Sequence, residues 1–146
     1  MNNTTPFVIE RTYNAPVQRV WKAITDKAEM KQWYFDNLTD FKPEVGFETE
    51  VNVHHSGKDF LHLWKVTDVK PEKSITYRWK YADHPGESFV TFELFDAGNK
   101  TKLRLIHTGL ESFLTDNDPN YATENFVKGW THIIGTSFKE FVERNN

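Results

Sequence analysis

The sequence predicts a single α+β domain over residues 1–146, in which a curved antiparallel sheet of about seven strands wraps around a long C-terminal helix. Two observations support this fold class. Residues 41–108 alternate between apolar and polar side chains in segments separated by short turns, which is typical of an antiparallel meander. Residues 120–144 instead repeat apolar side chains at helical spacing. The length of 146 residues fits one domain with its own core.

The N-terminal part predicts one strand followed by two short helices. Residues 7–13 alternate as a strand. Asn14-Ala-Pro16 then provides a helix entry with proline near the first turn, and apolar side chains follow at helical spacing from Val20 to Ile24. Asp26 is placed to cap a second short helix that ends near Trp33.

The middle of the chain predicts five further strands joined by short turns. They are expected at residues 47–53, 60–69, 75–81, 89–95 and 101–108. A short pairing segment near Leu38 to Phe41, together with the N-terminal strand, brings the expected sheet to about seven strands. Leu61 and Leu63 fall on the polar side of the alternation, so the strand that contains them either presents them outward or contains a β-bulge that shifts its parity.

The period-two alternation assigns one face of the sheet to the core. The opposite face carries charged residues such as Glu48, Arg78 and Arg104, and we expect it to be solvated. The inward face carries large apolar side chains and two histidines: Phe47, Val51, Val53, His62, Trp64, Val66, Ile75, Tyr77, Trp79, Val90, Phe92, Leu94, Leu103, Leu105 and His107.

The C-terminal segment predicts one long amphipathic helix that covers this inward face. Gly129 and Gly135 flank its apolar arc, which indicates either a close approach of another segment or space left open. Ser137 projects into the arc, and the Ile133 carbonyl and a polar contact in a pocket are equally good partners for its hydroxyl. The arc comprises Phe126, Val127, Trp130, Ile133, Ile134, Phe138 and Phe141.

Composition argues against several classes of protein. The chain contains no cysteine, which removes disulfides and thiolate metal ligands. Its formal net charge is -3 with both signs interspersed, so neither nucleic acid nor an anionic membrane is an expected partner. Because there is no hydrophobic signal region at the N-terminus and no apolar run long enough to span a membrane, we expect a cytoplasmic protein.

Several short motifs occur together in a characteristic order over nearly the whole chain. They resemble the family named for homology to the activator of the heat-shock-protein-ninety ATPase, within the START and birch-pollen-allergen-like (SRPBCC) superfamily of helix-grip domains. The resemblance implies a curved antiparallel sheet that grips a long C-terminal helix, with a largely apolar cavity between them for a hydrophobic small molecule. The motifs are Tyr13-Asn-Ala-Pro16, Val20-Trp21-Lys-Ala23-Ile-Thr25, Trp33, Gly46, Val66 with Pro71, Ile75 and Trp79, His107-Thr-Gly109 and Gly129-Trp130.

Histidines are the first candidates for chemistry, and only His62 and His107 of the six point inward. In the helix-grip strand order two strands separate them, which places them roughly 14 Å apart at about 4.8 Å per strand, too far for one metal ion. His107 could hydrogen-bond a ligand or act as a general base, but partnership with a backbone carbonyl or water is the simpler interpretation. We therefore expect no metal, no cofactor and no catalytic residue.

The leading hypothesis is a non-catalytic domain that binds a small hydrophobic or aromatic molecule between sheet and helix. An ordinary core position explains any one of the inward aromatic residues, but their number on one curved surface predicts a pocket. Tyr77, His107 and Ser137 are the polar groups expected to orient the ligand. The expected apolar anchors are Trp64, Trp79, Phe92, Phe126, Trp130 and Ile133.

Two alternatives remain open at this level. Relatives in the superfamily include aromatic cyclases and dehydratases, so the same pocket could serve an enzyme in which His107 is the base. The family name also suggests a stress-response or co-chaperone module that acts through the outer face of the sheet. In the eukaryotic co-chaperone, however, a separate preceding domain supplies much of the chaperone contact.

Overall fold

The computed structural model describes residues 6–55, 57–82, 84–113 and 123–144, and it contains one antiparallel sheet. Within these ranges the sheet has six strands: β1 (Phe7–Tyr13), β2 (Glu48–His55), β3 (Lys58–Lys70), β4 (Ser74–Tyr81), β5 (His84–Ala97) and β6 (Lys100–Thr108). Their spatial order is β1-β6-β5-β4-β3-β2. The strands from β2 to β6 therefore form a meander, and β1 returns to pair with β6.

The helices confirm the predicted α+β class. Two short helices follow β1, namely α1 (Val17–Thr25) and α2 (Lys27–Trp33). The C-terminal helix comprises α3 (Thr123–His132), a π-turn (Ile133–Ser137) and α4 (Phe138–Arg144), while residues 120–122 of the predicted helix lie outside the described residues. In the described part of the chain, no helix is both long and apolar enough to cross a membrane.

The predicted seventh strand near Leu38 to Phe41 is wrong, because this segment packs without pairing. Leu38 and Phe41 are both buried, as their apolar character requires. The Leu38 N–H donates to the Phe35 carbonyl and the Phe41 N–H to the Asp40 carboxylate, so neither joins a strand ladder. Two apolar residues three positions apart cannot share one face of a strand, where side chains repeat every second residue.

The inward face of the sheet carries the residues that the alternation predicts. Every second residue of β4 is buried, and so is every second residue from Ser88 to Leu94 in β5 and from Thr101 to His107 in β6. A shift of register between Val66 and Asp68 interrupts the pairing of β3 with β4. It lies beyond Leu61 and Leu63 and does not change their parity, because His62, Trp64 and Val66 are the buried residues here. The core therefore lies between this face and the helices.

The two short helices hold an aromatic run against the C-terminal helix. The Asp26 side chain caps α2 by accepting from the Glu29 N–H at 3.1 Å. The Trp33 indole donates to the Ala23 carbonyl at 2.8 Å and so joins α2 to α1. Beyond it, Tyr34 ends α2, and its hydroxyl lies 2.8 Å from that of Tyr77 on the sheet. The segment that joins β1 to β2, which contains α1, α2 and Tyr34, therefore contributes side chains to the core.

The C-terminal helix contains an irregularity that Tyr13 accommodates. In the π-turn the Phe138 N–H donates to the Ile133 carbonyl, whereas a regular α-helix would direct it to Ile134. The Ile134 carbonyl instead accepts a 2.6 Å hydrogen bond from the buried Tyr13 hydroxyl. The Phe138 ring packs edge-on against Tyr13 and Trp33 at centroid distances of 5.0 and 4.6 Å. Tyr13 therefore links β1 to the π-turn.

Removal of the Tyr13 hydroxyl should weaken this link. We expect Tyr13→Phe to lower the free energy of unfolding by about 1–3 kcal/mol, because the Ile134 carbonyl loses its buried donor while the ring contacts with Phe138 remain. Urea unfolding followed by circular dichroism measures the change. Phe95→Leu, on the exposed face of β5, is the control and should change stability by less than about 0.5 kcal/mol. Equal unfolding midpoints for Tyr13→Phe and the parent chain would contradict the assignment.

Candidate functional site

An apolar cleft of about 410 Å³ opens between α3 and the inward face of the sheet. The helix contributes one side of the cleft, and β2, β3 and β4 contribute the other. None of the lining residues carries a charged Asp, Glu, Lys or Arg side chain. They are Phe35, Val53, His62, Trp79, Tyr81, Asn125, Phe126, Gly129, Trp130 and Ile133.

Two tryptophans form the main walls, with their indole N–H groups bonded within the protein. Trp79 on β4 and Trp130 on α3 have ring centroids 5.7 Å apart. The Trp79 N–H donates to the Tyr81 hydroxyl at 2.9 Å, and the Trp130 N–H donates to His107 Nδ1 at 3.0 Å. Because both donors already have acceptors, the indoles offer the cleft apolar ring surface rather than hydrogen bonds.

His107 lies behind this wall, fully buried and hydrogen-bonded through both ring nitrogens. Since Nδ1 accepts from Trp130, Nε2 carries the proton and donates to Ser88 Oγ at 2.8 Å. Ser88 in turn donates to the Trp79 carbonyl at 2.9 Å. Burial lowers the pKa of His107 to about 3, so the ring is neutral at physiological pH. The chain of bonds fixes its tautomer.

His62 is the imidazole that lines the cleft. Its Nδ1 lies 2.8 Å from the Phe60 carbonyl, so this nitrogen is the donor of a neutral ring and Nε2 is the unprotonated nitrogen. Burial lowers the pKa of His62 to about 4, although the carbonyls of Phe60 and Val51 act in the opposite sense. His62 therefore adds a polar group to the cleft without adding charge at neutral pH.

Gly129 accounts for part of the open volume. Its own helical turn and chain neighbours aside, no atom lies within 4 Å of the place where a β-carbon would stand. Gly135, the other glycine on this helix, has the Arg11 guanidinium 3.7 Å from the same position. Of the two alternatives that the sequence left open, Gly129 thus corresponds to empty space, and it lies in the lining of the cleft.

The structure brings four of the nine predicted site residues to the cleft: Trp79, Phe126, Trp130 and Ile133. Trp64, Tyr77 and Phe92 are fully buried beside one another in the core and do not line it. Tyr77 bonds to Tyr34, and burial raises its pKa. His107 lies behind Trp130, and Ser137 lines a neighbouring hollow.

Sequence reasoning missed the other lining residues as members of the site. The strand alternation already turned His62 and Val53 inward, but nothing in the pattern separated a cleft position from a core position. Phe35 belongs to the aromatic run after α2, whose irregular backbone has no periodicity to interpret. The remaining members are Tyr81 on β4 and Asn125 and Gly129 on α3. These two elements are far apart in the sequence and meet only in the folded chain.

No metal site stands out among the residues that the structure describes. In those ranges no group of three or more His, Asp or Glu side chains is placed to hold an ion. The Trp79 ring lies between the two inward histidines, with centroid distances of 5.2 Å to His62 and 5.3 Å to His107.

Comparison with known proteins identifies relatives by sequence family and by fold. The sequence profile of the family described as "Activator of Hsp90 ATPase homolog 1-like protein" matches residues 14–143. No curated protein sequence matches the chain.

Three solved structures illustrate the likeness of the fold. The Mll3558 protein from Rhizobium loti is 24% identical with a TM-score of 0.76, and the match covers 92% of this chain and 97% of that one. Protein CV1439 from Chromobacterium violaceum is 20% identical with a TM-score of 0.78 and coverages of 95% and 97%. The Aha1 dimer from Colwellia psychrerythraea is 19% identical with a TM-score of 0.69 and coverages of 95% and 96%.

The two buried imidazoles should make the protein sensitive to acid. Below a pH of about 6.5 the unfolded chain protonates both histidines, whereas folded His62 and His107 stay neutral down to about pH 4 and about pH 3. Because the unfolded state then binds more protons, stability falls as the pH falls. Each histidine should lower the free energy of unfolding by about 2 kcal/mol between about pH 7 and pH 5.

Urea unfolding across this range measures the effect and its origin. His107→Gln should lose about half of the pH dependence, whatever its effect on absolute stability. His132→Gln, on the exposed side of α3, should keep the full dependence. A pH dependence that is the same in His107→Gln and the parent chain would show that His107 is not buried in its neutral form.

Proposed function

This chain belongs to the family of Activator of Hsp90 ATPase homolog 1-like proteins, and we propose that it binds a small, uncharged, aromatic or otherwise apolar molecule in the cleft between α3 and the sheet. The observation that carries the proposal is the wall formed by Trp79 and Trp130, which present ring surface while their N–H groups are bonded internally. Phe126 extends the wall, with its centroid 6.4 Å from Trp79.

The size of the cleft suits a small organic ligand. Its volume of about 410 Å³ lies within the roughly 300–1,000 Å³ of pockets that take such molecules. Flat aromatic ligands gain most from such walls, because stacked and edge-to-face contacts between rings add about 0.5–1.5 kcal/mol beyond the apolar area that they bury. Ring size and shape should therefore determine affinity.

The polarity of the lining favours uncharged ligands. No lysine or arginine lines the cleft to pair with a carboxylate, and His62 is neutral at physiological pH because burial lowers its pKa to about 4. An ionised ligand would lose its hydration without gaining a counter-charge. The polar side chains in the lining are His62, Tyr81 and Asn125 beside seven other residues, so the cleft suits a largely apolar molecule.

A pair of fluorescent probes tests the proposal. N-phenyl-1-naphthylamine is neutral, and 1-anilinonaphthalene-8-sulfonate has the same rings with one added negative charge. We expect the neutral probe to bind, with quenching of tryptophan fluorescence, and the sulfonate to bind at least about tenfold more weakly, because its charge has no partner in the cleft. Titration of the purified protein with each probe gives the two dissociation constants.

Two matched substitutions locate the binding site. Phe126→Ala should weaken the neutral probe about tenfold through lost apolar contact. Phe95→Ala removes the same side chain from the outer face of β5 and should leave the affinity unchanged. If no neutral aromatic compound quenches the tryptophans, or if both variants weaken binding equally, the apolar cleft is not the ligand site.

A further inference from the structure

A second hollow of about 520 Å³ lies beside the apolar cleft and differs from it in chemistry. It is formed by the end of α2 and the segment after it, by residues 52–54 of β2, and by Ser137 on the C-terminal helix. Its polar lining includes Lys31, Asn37, Asn52 and Ser137. The lining of the apolar cleft, by contrast, contains no Asp, Glu, Lys or Arg side chain.

The two hollows share part of their walls. Phe35 and Val53 line both of them. Phe35 is half-buried, and its ring centroid lies 5.5 Å from those of His62 and Trp64. One aromatic side chain on an irregular segment and one valine therefore border both the apolar space and the polar one.

The C-terminal helix runs along both hollows. Ile133 lines the apolar cleft and Ser137 lines the polar hollow, so the helix passes from one to the other within four residues. These two residues are also the first and last of the π-turn. Single π-turns within α-helices are frequent at functional sites, which makes the coincidence informative.

The Ser137 hydroxyl is available for a ligand at this point. In a helix, serine commonly satisfies itself by bonding the carbonyl four residues earlier, which here belongs to Ile133. The Ile133 carbonyl accepts the Phe138 N–H, and although its second lone pair remains open, the Ser137 hydroxyl does not bond to it. Among the residues that the structure describes, none forms a hydrogen bond with the Ser137 hydroxyl.

We propose that the ligand is amphipathic: its aromatic or aliphatic body occupies the apolar cleft, and a hydrogen-bonding end, such as a hydroxyl, passes Phe35 to reach Ser137 in the polar hollow. This inference rests on the proposed function and adds a subsite to it. The chemical class is a neutral ring system with one hydrogen-bonding group at one end.

Two probes that differ by a single hydroxyl test the subsite. They are 4-(2-naphthyl)butan-1-ol and 2-butylnaphthalene, and each is used to displace N-phenyl-1-naphthylamine from the protein. Ser137→Ala should weaken the alcohol about fivefold, the effect of one neutral hydrogen bond, and leave the hydrocarbon unchanged. Thr136→Ala removes the adjacent, exposed hydroxyl and should change neither affinity.

The outcomes separate the subsite from the cleft. If Ser137→Ala weakens the alcohol alone, the polar subsite is supported. If both probes displace the dye and Ser137→Ala changes neither affinity, the Ser137 subsite is ruled out while the apolar site stands. If the parent chain does not bind N-phenyl-1-naphthylamine, the proposed function fails and the subsite with it.

Discussion

The hydrogen bond from the Trp130 indole to His107 Nδ1 is the contact on which the arrangement of helix and sheet depends. It joins α3 to β6 at 3.0 Å, and Ser88 and the Trp79 carbonyl extend it across β5 to β4. An isolated buried bond of this kind adds only about 1 kcal/mol, but breaking it would leave an indole and an imidazole unpaired at a cost of about 1–3 kcal/mol each. This hydrogen bond therefore determines the position of the helix on the sheet more than it adds to the stability of the fold.

The location of the cleft follows from this fixed contact. Where large rings face one another, as Trp64, Tyr77 and Phe92 do, the space between helix and sheet is filled and no cavity forms. At the position before Trp130 the helix has Gly129, which lines the cleft and supplies no side chain. The curvature of the sheet accordingly creates the room, and the absence of a side chain at one helical position leaves it open.

The fold was predictable because each of its elements has a local pattern, whereas the site has none. Alternation placed His62, Trp79 and His107 on the inward face, since side-chain direction in a strand depends only on parity. Leu38 and Phe41 were misassigned because apolar character predicts burial but not pairing. The π-turn has no local signal either, and the Tyr13 hydroxyl that bonds its Ile134 carbonyl is 121 residues away in the sequence. A sequence pattern within a short segment contains no information about a hydrogen-bond partner so far away in the chain.

The same hydrogen bonds bear on the choice between binding and catalysis. A general base needs an unshared lone pair directed at its substrate. In His107 the only acceptor nitrogen is Nδ1, and it is occupied by Trp130, while Nε2 faces Ser88 and not the cleft. To act as a base, the ring would have to release Trp130 and so displace the wall that encloses the ligand. The geometry thus makes His107 a support for the cleft rather than a base within it.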